Sequence, residues 1–420
     1  MNYDLIIYGG GVSGASAAYT AAKAGIKTLL IEKTDTLGGS ASQGLVMPVM
    51  KVNSENINTN FVSDLKIYAD KYNARHTFID GNELWLNPEL LKIVFDDMLS
   101  SVSCTVLFSS EPVSINEEGG IFDNVINHKT SSLNVKSKYI IDASADGIAF
   151  KLLGCGFQKK SDKKQMPSMR FILSGINMPV FADWLENLDH DRSITPIERT
   201  SSQIYLSSAY TWDKNKNWAL KPVFGQALKD KVLEYEDTAY FQFFSIPDMP
   251  DALNFNAPRI LLKDNEDLSN PFVYSRCLIE GRARIFRLYK FCREYLPGFE
   301  NSYISNISSM LGVRESARIK GRYTASINDI IEPKTFKNTA FASDYPIDIH
   351  SNRAENDKLK PAGKTYYIPA EALISEKYDN LYGIGRIISS DFEAHSALRV
   401  QMSCFSMGEA AAKDIAAKIF

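Results

Sequence analysis

Residues 4–32 read DLIIYGGGVSGASAAYTAAKAGIKTLLIE, and this segment narrows what the chain can fold into more than any other. Asp4 to Tyr8 reads as a short apolar strand. Gly9, Gly11 and Gly14 follow directly as G-x-G-x-x-G. Val12 to Ala24 is small and apolar enough to be a helix packed tightly on a sheet, and Gly25 ends it as a C-terminal cap does. Lys27 to Glu32 is a second strand, closed by an acid. Strand, glycine turn, helix, strand and acid in that order predict a parallel βαβ unit with a dinucleotide site. Gly9 permits the tight turn, Gly11 lets backbone approach a pyrophosphate, and Gly14 lets helix and strand pack closely. The helix N-terminus at Val12 and Ser13 then presents unpaired N–H groups to phosphate. Glu32 is placed to accept hydrogen bonds from a ribose diol, and its charge disfavours a 2′-phosphate and hence NADP. The plainer alternative is an ordinary buried βαβ unit.

The residues after Glu32 separate NAD from FAD. Lys33-Thr34-Asp35-Thr36-Leu37-Gly38-Gly39-Ser40-Ala41-Ser42 resembles the extended FAD fingerprint of glutathione-reductase-like flavoproteins. There the Gly-Gly loop admits the diphosphate and ribityl chain; otherwise Gly38-Gly39 is a flexible loop. Residues 139–154, YIIDASADGIAFKLLG, are similar to the strand that returns to the cofactor in those proteins, bringing Ala143 and Ser144 to it. Ser144 and Ala145 stand where the pattern has Thr and Gly. Residues 380–412 resemble the closing strand, the Gly385-Arg386 turn and the long helix that lead back to the flavin. With GVRES at 312–316 and YPIDIH at 345–350, the chain resembles the bacterial FAD-dependent oxidoreductase family described as xanthan-lyase-like or heterodisulfide-reductase-A-like. The resemblance spans nearly the whole chain. It implies an α/β fold: a Rossmann-like FAD-binding domain with a second, mainly antiparallel-sheet substrate domain. Serines rather than a histidine follow the Gly-Gly loop, so non-covalent FAD is expected.

At 420 residues the chain is long enough for two domains. A net charge of −3 gives no electrostatic case for nucleic acid or an anionic membrane, and no apolar run is long enough to span a bilayer. The first strand starts too close to Met1 for a signal peptide, so a cytoplasmic location is expected. The five cysteines form no C-x-x-C pair, which argues against a metal site, an iron–sulfur cluster or a redox-active disulfide.

The cofactor domain is expected to be discontinuous, residues 1–165 and 335–420, with a substrate domain at 166–334. A helix is expected near Pro88–Ser101, with short strands at Thr105–Phe108, Pro112–Ile115 and Asn124–Asn127. Backbone near Pro112 and Val113 would meet the adenine. Residues 166–270 alternate in polarity, as half-buried antiparallel strands do. Residues 271–296 carry apolar side chains near a helical period. No second glycine fingerprint occurs, so no separate NAD(P)H domain is expected. The flavin would be reduced by a small-molecule substrate or a partner. The electron acceptor and an oligomeric assembly stay open.

Flavin chemistry asks the protein for orientation, a base and charge near the ring. A helix beginning around Ser396–Arg399 would set Arg399 and Val400 against the pyrimidine end. His395, just before that helix, and His350, with Asp348 to orient it, are the candidate bases. Arg314, beside Glu315, Ser316 and Arg318, would clamp a carboxylate or a hydroxyl-rich substrate, or else join the domains through ion pairs. His76, His128 and His190 read as exposed loop residues. The expected activity is oxidation or reduction of a small polar metabolite. Alternatives are a flavin enzyme with no net redox change and an electron-transfer subunit.

Overall fold

The computed structural model describes residues 1–52, 55–209, 218–351 and 357–420. Its first sheet is built on the glycine-turn strand, Asn2–Tyr8, flanked in parallel by Thr28–Ile31 and by the end of Ser131–Asp142. Thr105–Leu107 extends the parallel set on one side and Leu381–Gly383 on the other. The strand reads as one apolar run because both of its faces are covered. Leu5 and Ile7 enter a core shared with the helices Val12–Lys23 and Leu90–Ser101. Ile6 and Tyr8 enter a second core with Phe122, Ile140 and Phe150.

Two expected short strands prove to be parts of a longer antiparallel meander. Ser110–Glu118, Ile121–His128 and Ser131–Asp142 pair in order. Their outer halves alternate polar residues, which hides them from an apolar-run criterion. His128 therefore closes a strand and is partly buried, not in an exposed loop. His76 likewise lies on a short strand, with its ring stacked 3.6 Å from that of Tyr205. His190 is exposed, as expected.

The C-terminal return is tighter than its composition suggests. The helix Gln401–Ile419 packs on Val12–Lys23, and Ser16 Oγ donates to Phe405 O across the contact at 2.7 Å. Small residues make this possible. A Cβ on Gly408 would lie 2.3 Å from Ser13 O, and one on Gly14 would lie 1.8 Å from Gly9 O. The approach to this helix differs from expectation. A separate short helix, Phe392–Leu398, comes first, capped by Asp391, whose carboxylate accepts from Ala394 N. The chain breaks at Arg399 and Val400 and restarts at Gln401, so His395 lies inside a helix and not ahead of one.

The second sheet is antiparallel, as its alternation predicts. In order its strands are Ile197–Arg199, Ile204–Ala209, Gln242–Ile246, Met249–Arg259, Ser168–Ser174 and Tyr303–Ile307. One face is aromatic: Phe171 and Phe255, register partners, stack at 4.7 Å within a core that also holds Phe241, Phe243 and Phe291. Phe291 belongs to the helix Pro271–Tyr295, which starts at an Asn270 cap. The other face carries Arg170 and Asn256, also register partners, and it looks toward the first sheet.

Candidate functional site

Between the two sheets lies a cavity of ≈1490 Å³. That exceeds the roughly 300–1,000 Å³ of a usual small-ligand pocket. Its walls run from the glycine turn, through the segments 143–146 and 309–318, to the polar face of the second sheet.

At the glycine end, Gly9, Gly11, Val12 and Ser13 line the wall. The helix starting at Val12 has Gly11 as its N-cap and no side chain capping it. Its leading N–H groups lack partners within the helix, and Val12 and Ser13 line the cavity. A Cβ on Gly11 would meet nothing within 4 Å, so the space beside it belongs to the cavity and not to packing. Glu32 lies beside the turn, 7% exposed. Its Oε2 accepts from Gly10 N at 2.7 Å, and its Oε1 accepts from Thr34 N and Thr34 Oγ1. A carboxylate has about four lone-pair sites, so one remains for a ligand hydroxyl. Lys33, Gly39 and Ser40 also line the cavity. Gly38 and Ser42 do not: Gly38 N donates to Gly10 O, and Ser42 Oγ donates to Leu37 O, so both brace the loop from behind.

Ala143, Ser144, Gly385 and Arg386 line the middle of the cavity. Asp142, fully buried, accepts from Ser144 N, Ser144 Oγ and Ala149 N, and so fixes the turn. Ala145 adopts φ +67°, the left-handed conformation that glycine would take at little cost. The departure from the flavoprotein pattern thus preserves the backbone path at some strain. Arg386 spends its guanidinium on the protein. It donates to Ala145 O and Val313 O and pairs with Asp146 at 3.0 Å, tying the turn to the 313–316 segment.

The far end is dense in charge. Arg314, Glu315, Arg318, Asp348, His350 and Arg399 all line it, together with Tyr240 and Arg170. His350 is buried between Arg259 and Asp348. A guanidinium only donates, so Nδ1 accepts from Arg259 Nη2 at 3.0 Å, and Nε2–H donates to Asp348 at 3.2 Å. Burial, then Arg314, pushes its pKa down to about 4, so the ring is neutral near pH 7. Burial alone would raise Asp348; His350, Arg399 and Arg314 outweigh it and hold this carboxyl well below the usual range. Arg259 is clamped in turn by Asp357, at 2.6 and 3.0 Å. The opposite holds for Glu315. Burial pushes its carboxyl up to about 7, only partly offset by Arg318 and Arg399.

Arg399 Nη2 donates to Gln165 Oε1 and Asp348 O, while its buried Nε has no partner among the described residues. Gln165 Nε2 and Gln401 Oε1, buried on the same wall, are also unpartnered among the described residues. Val400 caps the helix Gln401–Ile419 there without a side-chain bond.

His395 and Val113 stand apart from the cavity. His395 is fully buried, its Nε2–H donates to Arg386 O at 2.7 Å, and burial pushes its pKa down to about 3. Val113 points outward, 44% exposed, and Pro112 and Glu111 reach the cavity in its place. Sequence reasoning passed over Arg170, Tyr240 and the acid–base character of Glu315. The one local signal for Arg170 was a charged residue alternating with Met169 and Phe171 in an otherwise apolar strand. Among the described residues no cluster of histidine, cysteine or acidic side chains could hold a metal, and no helix is long and apolar enough to cross a membrane.

The family model described as FAD dependent oxidoreductase matches residues 4–419. A digeranylgeranylglycerophospholipid reductase from Picrophilus torridus is 30% identical over 164 residues, 35% of this chain and 40% of that protein. The match thus spans about two-fifths of that relative's length. Among solved structures, a geranylgeranyl bacteriochlorophyll reductase-like protein from Thermoplasma acidophilum aligns over 100% of this chain and 79% of its own, at 14% identity and a TM-score of 0.48. A flavoprotein/dehydrogenase from Cytophaga hutchinsonii aligns over 99% and 78%, at 11% identity and 0.48.

Proposed function

The chain belongs to the FAD-dependent oxidoreductase family, and from that premise we propose that its cavity holds FAD along the glycine-turn wall and a small polar substrate at the charged far end. One observation carries this reading: a single cavity joins the open backbone at Gly11 and Glu32 to the Arg314, Tyr240 and Asp348 cluster. Residues 1–165 and 335–420 form the cofactor part in this reading, and 166–334 the substrate part; sheet membership supports the second from Ser168 to Ile307, while Ala325 and Ile330 pack in the core of the first sheet. When bound, FAD supplies the two-electron oxidation or reduction, and the protein supplies position, charge and proton handling.

The chain's own groups divide that work. Gly11 and the N–H groups at Val12 and Ser13 hold the diphosphate, and Glu32 accepts from a ribose hydroxyl. Arg399 and the uncapped helix start at Val400 favour negative charge on whatever occupies that end of the cavity. Glu315, poised near neutrality at about 7, takes up or returns the substrate proton. His350 positions Asp348: both of its nitrogens are engaged, and it presents no lone pair to a substrate. His395 holds the Arg386 carbonyl.

Visible absorption of the purified protein, before and after heat denaturation, tests this reading. Flavin bands, with FAD freed into solution, are expected. Anaerobic bleaching by small polar metabolites then identifies the reductant. A colourless protein that takes up no added FAD would overturn the assignment of the cavity.

A further inference from the structure

Most buried charges around the cavity have a protein counter-charge. Arg259 has Asp357, at 2.6 Å. Arg318 has Glu315, at 3.6 Å, and Arg399 has Asp348, also at 3.6 Å. Arg314 and Arg170 differ. Arg314 reaches one backbone carbonyl, Met166 O, at 2.7 Å. Arg170 reaches Leu45 O and Met47 O through Nη1 and lies over the Phe244 ring. Among the described residues neither has a carboxylate within ion-pair distance, although Asp348 attracts Arg314 from beyond it, and both line the cavity. Contacts lead from both to Tyr240: Arg314 binds Met166, whose N–H donates to His350 O beside the Tyr240 ring, and Arg170 pairs in register with Asn256, which shares Gln242 Oε1 with the Tyr240 hydroxyl.

We propose that Arg314 and Arg170 are the counter-charge for a carboxylate on the substrate, so that the far end of the cavity selects small organic acids. This rests on reading that end as the substrate site and narrows it to a chemical class. Burying a guanidinium with no carboxylate in contact is costly, and a chain that does so twice on one wall gains when an anion arrives. Burial lowers both groups, to about 9 for Arg314 and about 10 for Arg170, and both stay protonated at neutral pH. The planar fork of a guanidinium matches a carboxylate through two parallel bonds. A phosphate dianion suits the place less well, because the ionised Asp348 also acts on Tyr240 and would repel the extra charge.

The test is a titration of the flavin-loaded protein, following the visible flavin band. The probes are malonate and benzoate, the matched neutral malonamide and benzamide, and inorganic phosphate. The carboxylates are expected to perturb the band saturably and the amides to leave it unchanged at equal concentration. Arg314→Met should weaken carboxylate binding about 10- to 100-fold with flavin content unchanged. Equal binding of amide and acid, tighter binding of phosphate, or unchanged carboxylate affinity in Arg314→Met would each overturn the proposal. If Arg314→Met does not fold, Arg314→Lys keeps the charge without the fork and should still weaken binding. The acid–amide comparison on the unmodified protein decides in either case. A protein that holds no flavin shows this in its spectrum before any titration, and that outcome strikes the cavity reading instead.

Discussion

Replacing Glu315 by glutamine should stabilise the protein above neutral pH while removing a proton-transfer group. In the folded chain the Glu315 carboxyl titrates at about 7, against 4.5 for an unperturbed glutamate, and burial is the main cause. The folded state therefore binds this proton more tightly than the unfolded chain does. The associated stability is fully present below about pH 4.5 and is lost as pH rises through about 7. At about 1.4 kcal/mol per pKa unit the loss amounts to about 3 kcal/mol. Solvent reaching the side chain, which is 15% exposed, trims this to about 2–3 kcal/mol. Glutamine is neutral at every pH and never meets this cost. Urea unfolding of both proteins at pH 5 and pH 8 gives the comparison. The variant's advantage should grow by about 2–3 kcal/mol between the two. His350 and His395, neutral in the fold, lose stability on acidification below about pH 6.5, but they do so equally in both proteins and cancel in the difference. With a substrate in hand, the limb near pH 7 in kcat/KM should vanish in the variant, with a rate loss of about 10²-fold or more. A stability difference that stays constant from pH 5 to pH 8 would show that Glu315 titrates as an ordinary surface glutamate, and the reasoning would fail.

Other perturbations separate fold from site. Gly11→Val places atoms in open cavity space, so thermal stability of the flavin-free protein should hold while FAD affinity falls. Gly14→Ala forces its Cβ onto Gly9 O and should destabilise the flavin-free protein by about 1–3 kcal/mol in urea unfolding. Ala145→Gly should raise stability by about 0.5–1 kcal/mol by relieving the positive φ, less the entropy that glycine adds to the unfolded chain. His395→Ala should cost about 2–3 kcal/mol by leaving the Arg386 carbonyl unpaired, without moving the pH profile of activity. A shifted profile would return His395 to the chemistry.

The glycine turn, the alternation in 166–270 and the closing segment at 380–412 were legible because each is a local pattern. Periods of two and of 3.6 residues and a tight turn act over a few residues, and they govern which faces are buried whatever lies across from them. The same locality explains the misses. His395 and His350 look alike as neighbours of polar and acidic residues. One is sealed against a backbone carbonyl and the other is threaded between Arg259 and Asp348. The long meander strands carry too many polar residues for an apolar criterion, and no local pattern marks the break at Arg399 and Val400 between the last two helices.

The sequence by itself determined the βαβ unit, the antiparallel second sheet and the cofactor class. Tertiary structure alone decided which charges meet. Arg170 comes from the strand next to the sheet edge, Arg314 from a loop, Asp348 from a short strand and Arg399 from a break between helices, and no spacing along the chain encodes their convergence. The proton affinity of Glu315 follows from how much water and how many cations surround it, and that is fixed when distant segments close over it.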